Sequence, residues 1–484
     1  MQTTDTQSKE DSSRRNRSIK SAVFTSLASK LGTVLLQFVS IPIAYQKLGP
    51  ETFGLYATIS IAIGTVIVFQ LGIGPALAHG LSHATSKKDL AKEKDYFSTS
   101  WLLMVALTLI GGAVAGLVFN FVPLHVFLGD EYTPFEEQIM PGLWLGLAIV
   151  LFEFVLSHTE RSREGYLQVH LNNLWGAAGN FLGALAVVAA MLSRPSIETL
   201  ILAVYGSRVL ARIGNTIHLY LQRPELRPSI RHFKVPLMKE LLSDGFSFTI
   251  SHTITGLVQL NVCGLIVARH GGPPEVGIFQ ILMNFYVQLL GIIMMFTTPT
   301  WPAIVDAWAR ADTGWIRRAT KRLWALTLGY AGCGVVGLTF LGPLILPLVF
   351  GDEFPINRDI LFAFSLYFLG ASWGHTNHSI LVGLGLVRRS ATISIIETAI
   401  LPVLAFFGIA WFSLPGLFEG MALAMFAVSA WIFPLMLLRR VKEKDSVADE
   451  TLAAPLPLVP SLSATSALTP DGESEIAPPS TPKP

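Results

Sequence analysis

The chain contains a series of long apolar runs, separated by short segments that carry most of its charge. A helix needs roughly 20 apolar residues to cross the hydrocarbon core of a bilayer, so each run is a candidate membrane span. Only 14% of the residues are charged, against roughly 25% in a soluble protein. We therefore predict an all-α polytopic membrane protein with twelve transmembrane helices. Their approximate ranges are residues 21–46, 53–79, 96–121, 138–160, 168–193, 197–220, 244–268, 276–301, 322–347, 359–383, 390–412 and 416–438.

The distribution of Lys and Arg predicts the orientation of these helices, because such residues concentrate in cytoplasmic loops. With twelve spans, 27 Lys and Arg residues fall in the termini and loops of one side, and only 4 on the other. The four are Lys47, Arg194, Arg269 and Arg358. This asymmetry predicts that the N-terminus and the C-terminus are both cytoplasmic.

Changes in charge and composition divide the chain into five parts. We predict a polar cytoplasmic tail at 1–18, a six-helix lobe at 19–222, a cytoplasmic linker at 223–243 and a second six-helix lobe at 244–440. The last part, 441–484, contains eight prolines from Pro455 onwards. It has too little apolar surface to form a core, so we expect it to be disordered in the cytoplasm.

The two predicted lobes match in sequence when the chain is shifted by 222 residues. The first helix then falls on the seventh, with Thr33 on Thr255 and Gln37 on Gln259. Further identical pairs are Ser21 with Ser243, Gly49 with Gly271, and Gly129 with Gly351. Six helices per repeat give both repeats the same orientation in the membrane. We therefore expect two lobes, related by an axis along the membrane normal, that face a central cavity.

Polar side chains recur on one face of the first helix and on the matching face of the seventh, at helical spacing. Polar and ionisable groups are costly in hydrocarbon, so they face either a partner or a water-filled pathway. We predict that these side chains bind substrate in the cavity, and the alternative is that they only hold helices together. They are Lys30, Thr33 and Gln37 in the first helix, and His252, Thr255 and Gln259 in the seventh.

Charged residues also occur within the fourth and sixth helices. Arg208 and Arg212 share one face of the sixth helix, and guanidinium groups bind phosphate or carboxylate in bidentate geometry. We predict that both contact an anionic substrate, although Arg212 could instead extend to the membrane interface. Glu153 in the fourth helix is predicted either to bind a coupling ion, H+ or Na+, or to serve as the counter-charge of Lys30 or Arg208.

Motifs of enzyme and cofactor chemistry are absent from the sequence. It has no Gly-rich phosphate loop, no HExxH, no CxxC and no recognisable Ser-His-Asp set. His375, His378 and Glu397 could suggest a metal, but polar packing explains them better. With 35 Lys and Arg residues against 33 Asp and Glu, no basic excess indicates a nucleic-acid partner. We predict a transporter without a metal or an organic cofactor.

Three segments resemble the polysaccharide-biosynthesis oligosaccharide flippases, a branch of the multidrug/oligosaccharidyl-lipid/polysaccharide exporter superfamily. They are residues 42–56, residues 70–74, and Pro302-Ala303 followed by Asp306-Ala307. The likeness spans about residues 19–440 and leaves out the Pro-rich tail. It marks this branch of the superfamily and does not identify the cargo.

The resemblance implies two helical bundles that move a polyprenyl-pyrophosphate-linked oligosaccharide from the cytoplasmic to the external leaflet. The cargo would serve surface polysaccharide synthesis, such as that of O-antigen or exopolysaccharide. In such flippases a cationic cavity receives the pyrophosphate, and Lys30, Arg208 and Arg212 are the residues here that could do so. The resemblance also implies a cell-membrane location, the inner membrane in a Gram-negative cell, with a polysaccharide polymerase and chain-length machinery as partners.

Three other functions stay open at this point. An ion-coupled multidrug exporter of the same superfamily would be expected to have a cavity dominated by Asp and Glu. A membrane O-antigen polymerase or ligase would be expected to have a large external loop, whereas the predicted external loops are short. A scaffold that recruits partners through its C-terminal tail is the third.

Overall fold

The computed structural model describes residues 33, 36–249, 254–351 and 354–453. Every regular element in these ranges is helical. Within these ranges, seven helical stretches are long and apolar enough to cross a membrane, and two of them are much longer than one crossing requires: Ile254–Ala309 with 56 residues and Val387–Ser446 with 60. The prediction of an all-α, multi-span membrane protein is therefore confirmed, while the count of twelve spans, the repeat and the orientation stay predictions.

We number the longer helices in chain order, and these labels do not count spans. In the N-terminal half, residues 36–249, they are α1 Ile41–Gly64, α2 Ile73–Ser86, α3 Leu90–Phe121, α4 Glu136–Gly165, α5 Val169–Ser193, α6 Ser207–Gln222 and α7 Val235–Phe248. In the C-terminal half, residues 254–453, they are α8 Cys263–Ala309, α9 Thr313–Phe350, α10 Arg358–Gly383, α11 Val387–Ala427 and α12 Ser429–Ala453. Shorter segments are Leu36–Ser40, Thr65–Gln70, Leu124–Leu128, Asp130–Phe135, Ile197–Ile201, Leu202–Gly206, Pro224–Leu226, Ile230–His232, Ile254–Leu257 and Val258–Val262.

Helices α1 and α8 are each interrupted by a glycine followed by proline. Gly49 has φ 77° and Gly272 has φ 68°, values that glycine adopts without the steric penalty of a side chain. Pro50 and Pro273 then begin the next helical segment, where a missing N–H is tolerated. Each interruption divides one continuous helix into two segments, at positions one residue apart in the predicted repeat.

The predicted second helix, residues 53–79, is not continuous. Leu71 and Gly72 both have positive φ, 45° and 60°, and α2 begins only afterwards and ends at Ser86. The backbone of α7 approaches here so closely that a Cβ added to Gly72 would lie 2.2 Å from the carbonyl oxygen of Gly245. Glycine at both positions therefore allows α7 to pack against this break.

The predicted linker, residues 223–243, is an ordered structure bound to the N-terminal half. Arg223 Nη2 donates to Glu93 Oε2 at 2.9 Å, and its Nε donates to Glu225 Oε1 at 2.8 Å. Tyr96 in α3 donates to Glu240 in α7 at 2.7 Å. The hydrogen bond from Arg223 lowers the pKa of Glu225 below its ordinary value. These bonds attach the first part of the linker and α7 to the N-terminal part of α3.

The C-terminal helix α12 runs to Ala453, beyond residue 441, where disorder was predicted. Arg317 of α9 forms an ion pair with Asp445, and Arg440 lies 3.7 Å from Glu443. Arg440 and Lys444 also lie over the ring of Trp308. These contacts fix a charged helical extension that composition alone assigned to the tail, and residues 454–484 lie outside the described part.

The two halves meet chiefly through α1 and α8, near the glycine interruptions. A Cβ on Gly54 would lie 1.8 Å from the carbonyl oxygen of Pro273. Tyr45 is buried at the same end, edge-on to Phe350 and Phe354. The topology prediction places this end on the external side, so the halves are in contact there.

Candidate functional site

A polar cavity of about 210 Å³ lies where the N-terminal half faces α8. Residues of α1, of the segment Leu202–Gly206, of α6 and of α8 line it. Its polar lining side chains are Gln37, Ser40, Tyr56, Ser60, Tyr205, Arg208, Gln280 and Asn284. Because both halves contribute, a change in the angle between them would change the shape of this cavity.

Arg208 is the cationic side chain that lines this cavity. Its side chain is 39% exposed, and its Nε lies 3.6 Å from Glu153 Oε1. Its guanidinium carbon lies 4.5 Å from the ring centre of Tyr205, which stabilises the cation through the π face. The π-helical segment Leu202–Gly206 leads directly into α6 and carries Tyr205 less than one turn before Arg208. The guanidinium is thus held at the cavity by a ring and by a distant carboxylate.

Arg212 lies beside Arg208 and is bound by two carboxylates. Its Nη1 lies 3.0 Å from Glu153 Oε1, and its Nε lies 3.0 Å from Glu160 Oε1. Glu153 is nearly buried, with 8% of its side chain exposed. Glu153 therefore lies within 3.6 Å of both arginines, and Arg208 is one of the two partners that the sequence offered for it. Among these four residues the charges balance, and Arg208 is the more exposed of the two cations.

The stripe predicted on the first helix makes contacts between helices. Asn180 of α5 donates to Thr33 Oγ1 at 2.8 Å, and Gln288 of α8 donates to Gln37 Oε1 at 2.6 Å. Gln37 also lines the cavity, whereas Thr33 does not. Lys30 and His252 lie outside the described residues.

The matching stripe on the seventh helix lines a separate pocket of about 200 Å³ in the C-terminal half. The hydroxyls of Thr255 and Thr398 are 3.0 Å apart, and Tyr367 donates to Gln259 Oε1 at 3.3 Å. Glu397 also lines this pocket and accepts a hydrogen bond from the Ser429 N–H at 3.2 Å. The two predicted stripes, one in each half, therefore do not line one common cavity: Gln37 lines the first cavity, and Thr255 and Gln259 line this pocket.

The C-terminal pocket contains no Lys or Arg among its described lining residues. His375 lines it and is 3.2 Å from the hydroxyl of Thr297. Within the described ranges, no group of three or more His, Cys, Asp and Glu side chains could hold a metal ion. The pocket therefore combines one carboxyl group with His375 and His378 and with hydroxyl groups.

Arg163 is a buried cation that the sequence placed in a cytoplasmic loop. It is 0% exposed, and its Nε donates to Asn215 Oδ1 at 2.7 Å. Its Nη1 donates to Gln168 Oε1 at 2.7 Å and to Gln222 Oε1 at 3.2 Å. Asn215 in turn donates to Asn172 Oδ1 at 3.2 Å. These amides join α4, α5 and α6, and so fix the helix that carries Arg208.

Sequence reasoning missed three amide side chains of α8 near the cavity. Gln280 and Asn284 line it, and Gln288 bonds with Gln37. These residues follow one another at intervals of four in an apolar segment, so they share one helix face. That spacing was a usable signal. The role of Tyr205 had no such signal, because its orientation depends on the π-helical segment.

A charged cavity lies between two helical halves, and the fold of the chain is that of solved structures of a known class. The inward-facing structure of a multidrug-resistance MATE-family transporter of the MOP superfamily matches with TM-score 0.71 and 13% identity, over 86% of this chain and 96% of that one. An outward-facing structure of such a transporter matches with TM-score 0.61 and 15% identity, over 88% and 96%. A MOP transporter of Pyrococcus furiosus, described as having a binding pocket of reverse polarity, matches with TM-score 0.61 and 14% identity, over the same shares.

The sequence comparisons identify the family within that class. Residues 19–308 match the family described as Polysaccharide biosynthesis protein, and the chain belongs to this family. A protein of Shigella dysenteriae named as an O-antigen transporter is 18% identical over 330 residues, which cover 68% of this chain and 76% of that protein. The protein is therefore a multi-pass membrane protein of the polysaccharide-biosynthesis family, and its fold is that of the MATE transporters.

Proposed function

We propose that this protein moves a polyprenyl-pyrophosphate-linked oligosaccharide across the cell membrane, from the cytoplasmic to the external leaflet. Membership of the family and the similarity to a protein named as an O-antigen transporter support a role in surface polysaccharide synthesis. The observation that carries the proposal is Arg208, a guanidinium directed at a polar cavity with 39% of its side chain exposed. A cation there favours an anionic cargo such as a pyrophosphate.

The ion pairs beside Arg208 make it available to the cargo. Glu153 lies closer to Arg212, at 3.0 Å, than to Arg208, at 3.6 Å. If Arg208 turns towards a phosphate, Glu153 keeps its bond with Arg212, so no buried carboxylate loses its partner. A hydrogen bond to a charged group contributes about 1.5–3 kcal/mol, so one or two bonds from Arg208 suffice for selective binding. Arg212 then supports the site through Glu153 and need not touch the cargo.

The neutral part of the cavity suits the sugar portion of such a cargo. Gln280 and Asn284 are cavity-lining amides, and each can donate and accept hydrogen bonds with hydroxyl groups. The polyprenyl chain would stay in the surrounding lipid. Lys30, which precedes Thr33 and Gln37 at helical spacing in the sequence, would add a second cation to the pathway.

We further propose twelve spans in two six-helix lobes with both termini in the cytoplasm. The interruptions at Gly49 and Gly272 support this repeat. So do two polar contacts between corresponding helices: Thr33 with Asn180 in one half, and Thr255 with Thr398 in the other. In this orientation the contact of Gly54 with Pro273 closes the external side, and alternating access would require it to open.

Coupling of transport to H+ or Na+ is a separate proposal. Glu153 is the candidate in the N-terminal half, but its contacts with two arginines favour the role of counter-charge. The proposed surroundings of the protein are the bilayer of the inner membrane, a polysaccharide polymerase and the chain-length machinery. No nucleic acid is proposed as a partner.

The test is complementation of a deletion strain, with the lipid-linked precursor and the surface polysaccharide measured together. The wild-type chain should restore the glycan, whereas Arg208→Ala should accumulate precursor on the cytoplasmic leaflet although the protein inserts normally. Arg310→Ala is a matched control, since Arg310 is 74% exposed and contacts only the neighbouring Asp306. Precursor of single-repeat length on the external leaflet would instead indicate a polymerase and contradict the proposal.

The C-terminal pocket favours one second candidate, export of cationic drugs. Glu397 lies there without a described Lys or Arg at the pocket wall. This candidate would be supported if the deletion strain has normal surface glycan and raised sensitivity to cationic drugs. The wild-type chain should then restore drug resistance, and Glu397→Gln should not.

A further inference from the structure

An apolar cleft of about 820 Å³ lies on the opposite side of the segment Leu202–Gly206 from the polar cavity. It is formed by α4, by α5, and by the helical run from Thr199 to Leu210. Val204 and Tyr205 line the polar cavity, whereas Leu202, Ala203 and Gly206 line the cleft. One π-helical segment therefore separates the two spaces.

Small side chains give the cleft its depth. Ala186, Ala190 and Ala203 lie along it, while the larger side chains of Phe152, Leu182 and Leu210 are 50%, 42% and 60% exposed. An exposed apolar surface of this kind, on a helix that spans a membrane, is in contact with lipid chains. The cleft is thus an indentation in the surface that faces lipid.

The length of the cleft matches one leaflet. Along α5 it extends from Leu182 to Arg194, which at 1.5 Å per residue is about 18 Å. Half of the hydrocarbon core of a bilayer is about 15 Å thick. In the proposed orientation Arg194 lies at the external surface and Leu182 lies near the middle of the membrane. A lipid chain inserted here would place its headgroup at Arg194.

Arg194 is an exposed cation at the end of this cleft. It forms no salt bridge with any residue in the described ranges. Glu198, the carboxylate nearest to it in sequence, lines a different pocket. A guanidinium at the level of the headgroups, next to an apolar cleft one leaflet long, is complementary to a phosphate-bearing lipid.

We propose that the cleft binds a phosphate-bearing lipid of the external leaflet, with a hydrocarbon chain between α4, α5 and the segment Leu202–Gly206 and with the phosphate at Arg194. Both parts are needed, because the cleft recognises a chain and Arg194 recognises an anion. The bound chain would pack against the face of the segment opposite to Tyr205. This site does not depend on the cargo proposed above.

The test measures lipid binding to the purified full-length protein by native mass spectrometry in detergent. Three probes separate the contributions: phosphatidylglycerol, diacylglycerol with the same chains but no phosphate, and glycerol phosphate with no chains. Phosphatidylglycerol should bind about tenfold more tightly than diacylglycerol, the effect of one charged hydrogen bond. Glycerol phosphate should not compete with it.

Three variants locate the site. Arg194→Gln should lower phosphatidylglycerol affinity about tenfold, to that of diacylglycerol. Arg358→Gln, at another exposed cation of the same side, should leave it unchanged. Ala190→Phe fills the cleft and should reduce the binding of both lipids. Unchanged phosphatidylglycerol binding in Arg194→Gln, or in a folded Ala190→Phe variant, would overturn the proposal. Competition by glycerol phosphate as strong as that by phosphatidylglycerol would also overturn it, because it would indicate a site for soluble anions. Arg194→Gln changes an exposed side chain, so its result does not depend on whether Ala190→Phe folds.

Discussion

The two halves of the protein contain polar pockets of similar size and different charge. The polar cavity between the N-terminal half and α8, called the N-terminal cavity below, has Arg208 at its wall. Arg212, Glu153 and Glu160 lie directly behind Arg208. The C-terminal pocket has Glu397 and two histidines, without a described Lys or Arg. Two contacts between helices are nevertheless alike, because Thr33 bonds to Asn180 on α5 and Thr255 bonds to Thr398 on α11.

This comparison separates positions that match in the predicted repeat from positions that do not. Positions that match in the repeat, such as Thr33 with Thr255, make hydrogen bonds between helices. In the predicted repeat, three charged residues of the N-terminal half fall on residues of another kind: Glu153 on His375, Arg208 on Ala430 and Arg163 on Gly385. Packing requires similar shapes in both halves, whereas recognition of an anion requires a cation in only one of them.

The strongest test of this difference reverses the charge in the N-terminal cavity. Arg208→Glu would give it the sign of the C-terminal pocket, and we expect transport of lipid-linked precursor to fall on the order of 100-fold, the equivalent of one or two charged hydrogen bonds. The measurement is precursor accumulation in the complemented deletion strain. Arg310→Glu should transport normally. Normal surface glycan from a correctly inserted Arg208→Glu variant would remove Arg208 from the site.

The second test concerns the buried network around Arg163 in the N-terminal half. Arg163→Leu leaves the amide oxygens of Asn215 and Gln168 without their donor, so we expect a loss of about 3 kcal/mol in the free energy of unfolding. Arg161→Leu is the matched control, because Arg161 is 41% exposed and pairs only with Glu164. Its cost should stay below about 1 kcal/mol. Equal thermal stability of the two variants in detergent would show that the network does not fix α6.

The third test is directed at the contact between the halves. Gly54→Ala places a Cβ against the backbone of Pro273, which should cost about 1–3 kcal/mol or separate the halves. Gly291→Ala is the control, since no atom lies within 4 Å of its added Cβ. Accessibility of cysteines introduced at Tyr45 and Phe354 would measure the separation. An unchanged pattern with unchanged stability would contradict a tight external contact.

The smallest expected effect is the pH dependence of the linker, residues 223–243. Arg223 holds the pKa of Glu225 below its ordinary value, so this bond stabilises the linker at neutral pH and is lost as the pH falls through the lowered pKa. Protection of residues 223–234 from hydrogen exchange, corrected for the pH dependence of the intrinsic rate, should fall as the pH drops below the ordinary Glu pKa of about 4.3. In Glu225→Gln, the loss of protection assigned to protonation of Glu225 should be absent. If the variant loses protection to the same extent at low pH, another titrating group is responsible.

Much of the fold was predictable because a bilayer imposes its own length scale. The helices α5 and α10 begin and end within one residue of the predicted spans 168–193 and 359–383. The linker helix α7 and its close approach to Gly72 were not predicted, since they depend on contact between segments distant in sequence. Likewise, Arg163 was assigned to a loop, because two of its neutral partners are distant in the chain: Asn215 and Gln222 lie on α6, whereas Gln168 directly precedes α5.

Within the candidate site, the sequence identified the charged residues but not their pairing. Arg208, Arg212 and Glu153 were recognisable because ionisable groups in apolar helices are costly. Whether Glu153 binds an ion or neutralises arginines depended on distances between α4 and α6, which no spacing rule provides. Gln280 and Asn284 were recognisable in principle from their four-residue interval.

The amino-acid sequence by itself determined that this chain spans a membrane many times and which charges lie inside the apolar helices, because transfer into hydrocarbon depends on residue type and local length. Only the tertiary structure decided which charges neutralise one another, which cation faces a cavity and which faces the cleft. Those outcomes depend on distances of 3–4 Å between side chains of different helices, and packing sets such distances.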